Sequence, residues 1–289
     1  MPSVPLRFKS AVSPVAAGIT LLIVLLAISQ QLAAQDVMSA PLIKHGDETL
    51  ILNLGGVVNS FGTTLKLNGQ FHNGTDFNLE RNGLKKTDWS FQAAGTWRFL
   101  SRNRIDLEYF STSRSGSKTY QTQITIGDNV YPLGATVSAK AKDNFLLGDY
   151  RYSFVKTDSL ELAGLIGIYG GEFKFDVSAS GNAGNAAAAT SKSASTYVPL
   201  PLIGGSVDWY INPRWRIAGN VEGLKAKIGG VDGKAIVTMA ATDYTIFRNF
   251  GVGVRYMYSD VSADATKSRF DGSVKWRMNS VSLYARLLF

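Results

Sequence analysis

The sequence predicts an all-β protein: a transmembrane antiparallel up-and-down β-barrel of about ten strands, preceded by a cleaved signal peptide. Three observations predict this fold class. From about residue 47 onward, apolar residues recur at every second position, which is the period of a β-strand. Short polar turns alternate with long segments of small and polar residues, as they do in membrane barrels. The mean hydropathy is only +0.01, whereas each span of a multi-helix membrane protein needs about 20 mostly apolar residues.

The composition restricts the chemistry that the chain can perform. Among 289 residues there is no Cys and there are two His, while Gly occurs 29 times and charged residues make up 18%. The absence of Cys excludes disulfides and thiolate metal sites, and two His leave little for zinc or triad chemistry. No metal and no cofactor are expected.

The first 34 residues are predicted to be a signal peptide. Arg7 and Lys9 form a positive start, an apolar stretch follows from 11 to 29, and small residues stand at Ala33 and Ala34. We expect cleavage after Ala34, a periplasmic N-terminal segment over 35–47 and the barrel over 48–289. The alternative is a retained membrane anchor, because the apolar stretch is long enough to span a bilayer.

The strands follow from the alternation and the turn signals between them. Counting between connections gives ten, and an even number places both termini on the same side of the membrane. If 277–280 is instead a turn and a further strand lies near 73–80, the count becomes twelve. The ten predicted strands are roughly 48–67, 88–100, 104–114, 143–155, 160–178, 199–211, 214–228, 235–247, 250–261 and 268–289.

Some of these strands change the parity of their apolar residues part of the way along. Leu54 and Phe61 have opposite parity on either side of Gly55 and Gly56, and the same happens across 170–171. The sequence suggests β-bulges at these glycine pairs, where a strand leaves the membrane and continues upward.

The two faces of the strands differ in a way that favours a membrane barrel over a soluble β-sandwich. One face carries Phe, Tyr and Trp towards the strand ends, as a lipid-facing band with aromatic girdles does. The other face is mostly Gly, Ala and Ser with isolated charges, which suits the crowded interior of a narrow barrel. Backbone groups in lipid must all be paired, so such strands have to close into a ring.

The last strand carries a resemblance to a known class. Leu283, Ala285, Leu287 and the terminal Phe289 alternate with polar or small residues at the end of an exported chain without Cys. In this the sequence resembles a Gram-negative bacterial outer-membrane β-barrel protein of the small monomeric type. The resemblance implies location in the outer membrane and recognition of these four residues as an assembly signal by the barrel-assembly machinery. It also implies periplasmic chaperones as partners during biogenesis, and it names no substrate.

Charged residues on the predicted inward face form the candidate site. Seven acids and five arginines are nearly balanced, whereas a strongly selective pore lines its constriction with one sign of charge. We therefore expect a network of paired charges that largely closes the lumen. Its predicted members are Arg98, Asp106, Glu108, Asp149, Arg151, Glu161, Asp208, Arg216, Glu222, Asp243, Arg255 and Arg286.

An enzyme is not expected. Barrel hydrolases of this class use a His to move a proton near neutral pH, and the two candidates are His45 before the first strand and His72 in the first long loop. Asp76 is near His72 in sequence, but a solvated loop residue explains His72 more simply. A barrel hydrolase remains a minor alternative.

Positive side chains in and near the predicted loops suggest outer-membrane lipid, including lipopolysaccharide phosphates, as a partner, and the compartment excludes nucleic acid. The predicted function is a structural or surface-interaction role. The alternative is a channel or transporter for small solutes or hydrophobic molecules. The basic residues concerned are Lys85, Lys86, Arg114, Lys118, Lys140, Lys142, Lys192 and Lys267.

Overall fold

The computed structural model of the chain is an all-β ring. It describes residues 42–44, 46–67, 77–119, 121, 124–126, 129–131, 134, 136–183, 186–228, 231–267 and 270–289. All of these residues lie in the unit Leu42–Phe289. The predicted signal peptide, residues 1–34, and most of the predicted N-terminal segment lie outside the described residues.

Ten long strands make up the ring, and we number them in chain order. Their bounds are β1 Leu50–Leu67, β2 Thr87–Leu100, β3 Asn103–Thr119, β4 Thr136–Lys156, β5 Leu160–Ala183, β6 Ala186–Tyr210, β7 Trp215–Ile228, β8 Val231–Phe247, β9 Phe250–Lys267 and β10 Phe270–Leu288.

Each strand pairs antiparallel with its neighbours in sequence, and β10 pairs with β1 to close the ring. The closing ladder runs without interruption from Ile51 opposite Leu288 to Leu67 opposite Gly272. The predicted ten-stranded barrel is confirmed, and the count of twelve is wrong because 277–280 lies inside β10. The short strand Phe77–Asn78 pairs only with the far end of β1.

The two ends of the barrel differ. At the turn end, connections of two to four residues join β2 to β3, β4 to β5, β6 to β7 and β8 to β9. At the loop end, long connections follow β1 and β3, and the second contains a small separate hairpin of Ile124–Ile126 and Asn129–Tyr131. Only two residues separate β5 from β6, β7 from β8 and β9 from β10. The three register shifts within the described ladders all lie at the turn end, near Phe99, Phe154 and Ile246.

The predicted bulges at the glycine pairs are wrong. The ladders run through Gly55–Gly56 and Gly170–Gly171 without a shift, so the strict alternation of faces is maintained. Leu54 therefore faces outward and Phe61 faces inward because the lumen itself becomes apolar towards the loop end. A change in the lining of the lumen produced the sequence signal that suggested a bulge.

Large apolar side chains cover the outside of the ring. On β10, Val281 and Leu283 are more than half exposed and Phe289 ends the same face. This face extends over nine residues, and about 9–11 residues of tilted strand cross a bilayer. No helix among the described residues is long and apolar enough to cross a membrane.

Candidate functional site

The half of the lumen nearest the turn end contains the charged residues predicted from the sequence. All twelve lie at inward positions of their strands and are buried or half-buried: Arg98, Asp106, Glu108, Asp149, Arg151, Glu161, Asp208, Arg216, Glu222, Asp243, Arg255 and Arg286. They project from nine of the ten strands, all except β1. The ring thus brings together groups that lie far apart in sequence.

Glu161 is the centre of one part of this network. Arg98 grips its carboxylate with two hydrogen bonds, of 3.1 and 3.0 Å, and Arg104 approaches it at 3.5 Å. Ser153 donates its hydroxyl proton to the same carboxylate. Arg104 also forms a 2.7 Å salt bridge with Asp208, which links this group to the next. Two-point arginine contacts fix the geometry of both partners.

Asp243 is the centre of a second part. Arg216 bridges Asp208 and Asp243, and Arg286 reaches Asp243 at 3.3 Å. The hydroxyl of Tyr284 donates to the same carboxylate. Each buried carboxylate here therefore faces more than one donor, which is what a charge removed from water requires.

Two further arginines complete the network. Arg151 pairs with Asp106 at 2.6 Å and with Asp149 at 3.3 Å. Arg255 binds Glu108 through two hydrogen bonds of 2.6 and 2.7 Å. Positive and negative groups thus alternate across the lumen, so neither sign dominates the constriction.

Arg104 is a further member of the network that the sequence did not indicate. It is the first residue of the predicted strand 104–114 and is absent from the predicted inward charges, but β3 begins at Asn103 and Arg104 lies inside the barrel. Its guanidinium lies within salt-bridge distance of three carboxylates, those of Asp106, Glu161 and Asp208. The even spacing of Arg104, Asp106 and Glu108 would have revealed it.

Glu222 differs from the other acids because no described residue forms a salt bridge with it. Asn220 donates to one of its oxygens, while the other is buried without a hydrogen-bond partner. Both residues line a lumen cavity of about 120 Å³. The cavity is therefore a small, partly open polar space that the charge network lines.

Above this cavity, towards the loop end, the lumen is filled by aromatic rings. Phe61, Phe110, Phe145, Tyr169, Phe173 and Trp276 are all buried. The centroids of Phe145 and Trp276 are 4.8 Å apart, and Phe110 stacks on Phe145 at the same distance. We call these six side chains the aromatic plug. Rings at such distances are in van der Waals contact and fill the space between them.

The segment 79–84 covers the aromatic plug from the loop end. Leu79 and Leu84 join the same hydrophobic cluster and are only 1% and 3% exposed. Glu80 fastens the segment, because its carboxylate accepts a hydrogen bond from the backbone N–H of Thr63 and pairs with Arg114 at 2.8 Å.

Arg114 corrects an expectation from the sequence, which counted it among the accessible loop cations. Its side chain is 0% exposed, and it lies inside the barrel over the ring of Phe61, 3.9 Å from the centroid. It also approaches Asp143 at 3.5 Å. A guanidinium stacks readily on an aromatic face while it pairs with carboxylates, so Arg114 joins the covering segment to the barrel wall.

The remaining predicted residues have no shared site in the structure. His45, His72 and Asp76 lie outside the described residues. Within the described part of the chain, no group of three or more His, Asp or Glu side chains is arranged to hold a metal ion. Leu283, Ala285, Leu287 and Phe289 line the outward face of the last strand, and their role in assembly stays a prediction.

Comparison with known proteins gives similarity of fold. No family model matches the sequence, and no curated protein matches it. The outer-membrane protease OmpT from Escherichia coli aligns with a TM-score of 0.57 at 10% identity, covering 86% of this chain and 99% of that one. The Pseudomonas putida toluene transporter TodX aligns with a TM-score of 0.37 at 7% identity, covering 87% of this chain and 95% of TodX. The outer membrane protein OprG from Pseudomonas aeruginosa aligns with a TM-score of 0.33 at 13% identity, covering 83% of this chain and 95% of OprG. The predicted fold, a closed up-and-down β-barrel like those of small outer-membrane proteins, is confirmed.

Proposed function

We propose that this chain is an outer-membrane barrel with a closed lumen, which acts in the envelope through its wall and its loop end. The observation that carries this proposal is the presence of two successive layers of packed side chains along the lumen. The charge network fills the half of the lumen nearest the turn end, and the aromatic plug with the segment 79–84 fills the other half. A solute would have to displace both, and each is held by many contacts.

The membrane location rests on the outer surface and on the fold. The apolar face is about as tall as a bilayer core, and the ladders leave no open edge within that face. By the usual orientation of such barrels, the short turns face the periplasm and the long loops face outside. We propose the same orientation here, with residues 1–34 removed during export. N-terminal sequencing of the mature protein tests the cleavage, and a start at Gln35 is expected.

The alternative function is a channel or transporter for small solutes or hydrophobic molecules. The lumen cavity is the feature in its favour, but its volume is only about 120 Å³ and charged side chains line it. The proposal also includes no catalytic step, because the fold similarity to a protease brings no catalytic residue to this chain.

Planar-bilayer recording with purified protein tests the closed lumen. We expect no stable conductance from the wild type. Replacing Trp276 and Phe145 with Ala removes the two rings at the centre of the aromatic plug. We expect only brief, small openings from this variant, because the charge network still fills the other half of the lumen. The matched control replaces Trp89 and Phe91, which face outward on β2. Large, stable channels in the wild type would refute the proposal.

A further inference from the structure

Cross-strand pairs of outward side chains on β7 and β8 form a column in which two lysines lie above mostly small residues. The ladder places Lys225 directly opposite Lys234, and the next outward pair is Gly223 and Ile236. Below them come Val221 with Thr238 and Gly219 with Ala240. Two cations therefore stand above a stretch of the wall where small side chains dominate.

The two lysines face each other with like charges. Directly opposed like charges destabilise a β-ladder, and both side chains are exposed. No described residue forms a salt bridge with either of them. On β4 and β5, Lys142 is opposite Lys174, but there Glu172 pairs with Lys174 at 2.7 Å. Among the described residues, the β7–β8 pair is thus opposed without a salt bridge to either lysine, although the outward pair next above it, Lys227 and Asp232, brings a carboxylate to the same face.

Below this lysine pair lies a groove in the outer wall, with a volume of about 690 Å³. Gly164, Gly205 and Gly219 form its floor, and larger side chains such as Val207 and Tyr256 border it. None of the three glycines is required by close backbone packing. A Cβ at Gly164 would meet nothing within 4 Å, and one at Gly205 or Gly219 would make only ordinary contacts. The groove is therefore open space where side chains would fit.

The dimensions match one leaflet of a membrane. Six residues separate Lys225 from Gly219, which is about 20 Å along a strand at roughly 3.3 Å per residue. With a tilt of about 40°, this corresponds to about 15 Å of depth, half of the ~30 Å hydrocarbon core. A headgroup at the lysine pair would thus allow its acyl chain to reach the groove where Val221, Thr238 and Gly219 line it.

We propose that the groove and the lysine pair form a binding site for a phosphate-bearing lipid of the outer leaflet. Lys225 and Lys234 contact the phosphate as two point charges, and the glycine floor accepts one acyl chain. This inference rests on the proposed location in the outer membrane. It commits to a lipid because the groove extends into the column below the lysine pair, through Gly219, Val221, Thr238 and Ala240, an arrangement that a free phosphate would not use.

The site is tested by native mass spectrometry of the purified mature barrel in zwitterionic detergent, titrated with bisphosphorylated lipid A. One variant replaces both lysines, Lys225→Gln with Lys234→Gln. A second fills the groove, Gly164→Leu with Gly205→Leu. The matched controls are Lys140→Gln with Lys275→Gln, which removes two other exposed lysines, and Gly95→Leu on β2, where a Cβ also fits. Heat-modifiable gel mobility checks that each variant is folded.

We expect the lysine variant to bind lipid A roughly 5- to 30-fold more weakly, since each lysine near an anionic headgroup contributes about 0.5–1 kcal/mol. The groove variant should also lose affinity, while both controls bind like the wild type. Dephosphorylated lipid A should bind the wild type and the lysine variant equally. Competition by millimolar inorganic phosphate, without any effect of the groove variant, would show a free-phosphate site and overturn the proposal.

Equal binding by all folded variants would overturn the proposal too. That result is distinguishable from failure of the proposed function, because lumen closure is read from conductance and membrane location from cell fractionation. A barrel that does not conduct, fractionates with the outer membrane and binds lipid A independently of these residues would retain the proposed function and lose this site.

Discussion

The cost of removing a lumen arginine should depend on how many arginines remain for its carboxylates. Arg255 is the only described salt-bridge partner of Glu108, whereas each acid near Arg104 has a second arginine. Glu161 keeps Arg98, and the other two acids keep Arg151 and Arg216. Arg104 has more ionic contacts, but its loss leaves no carboxylate alone.

The magnitudes follow from this difference. Arg255→Met leaves Glu108 buried without a counter-charge, which costs about 3–5 kcal/mol. Arg104→Met removes charged hydrogen bonds from acids that stay paired, and about 1–2 kcal/mol is expected. In the double variant Arg255→Met with Glu108→Gln, the new amide still accepts from Gln92, which lies 2.7 Å from the present carboxylate. It should therefore recover most of the stability lost in Arg255→Met.

The assay is equilibrium urea unfolding of barrels in lipid vesicles, followed by tryptophan fluorescence and by gel mobility of the folded form. The five tryptophans of the chain provide the signal. The reasoning is refuted if Arg104→Met is as destabilising as Arg255→Met. It is also refuted if adding Glu108→Gln to Arg255→Met recovers no stability.

Three further predictions concern the wall and the plug. Leu283→Lys should destabilise the barrel by about 2–4 kcal/mol in vesicles, as a lysine on the lipid face does, whereas no change in urea unfolding would speak against a membrane wall. Gly55→Val should prevent closure of the β1–β10 seam, because a Cβ at Gly55 overlaps the carbonyl oxygen of Leu283; a normal yield of heat-modifiable barrel would contradict this. Leu79→Asp should release the covering segment, so that a protease cleaves within 77–86 faster than in the wild type, and equal rates would show that the segment is held without Leu79.

The sequence predicted the wall well because the alternation of a strand is a local property. Each predicted strand overlaps one strand of the ring, and the turn end lies where polar residues interrupt the alternation. The predicted strand boundaries at the loop end were less accurate. For example, β4 begins at Thr136, whereas the sequence predicted a start near residue 143. There the chain continues above the apolar face, and the outward residues change to Ser and Lys, which resemble a loop.

The interior was less predictable because alternation assigns a side but not a level along the barrel axis. Trp276 and Phe61 are inward and apolar, so they broke the expected contrast between faces and suggested a turn or a bulge. Arg114 looked like a loop cation because nothing local shows that Glu80 and Asp143 lie beside it. Both errors concern contacts between strands that only closure of the ring brings together.

The two halves of the lumen also explain why the outer wall is the more informative surface. Inside the barrel, the described charges and rings contact one another, so replacing one of them perturbs several neighbours. The identity of the interior residues is therefore explained by the stability of the fold. Gly164 and Gly205 are different, because added side chains there would meet no obstacle and the fold does not require their absence. An open groove beneath two opposed lysines is thus unexplained by folding alone, and binding of a lipid accounts for both features.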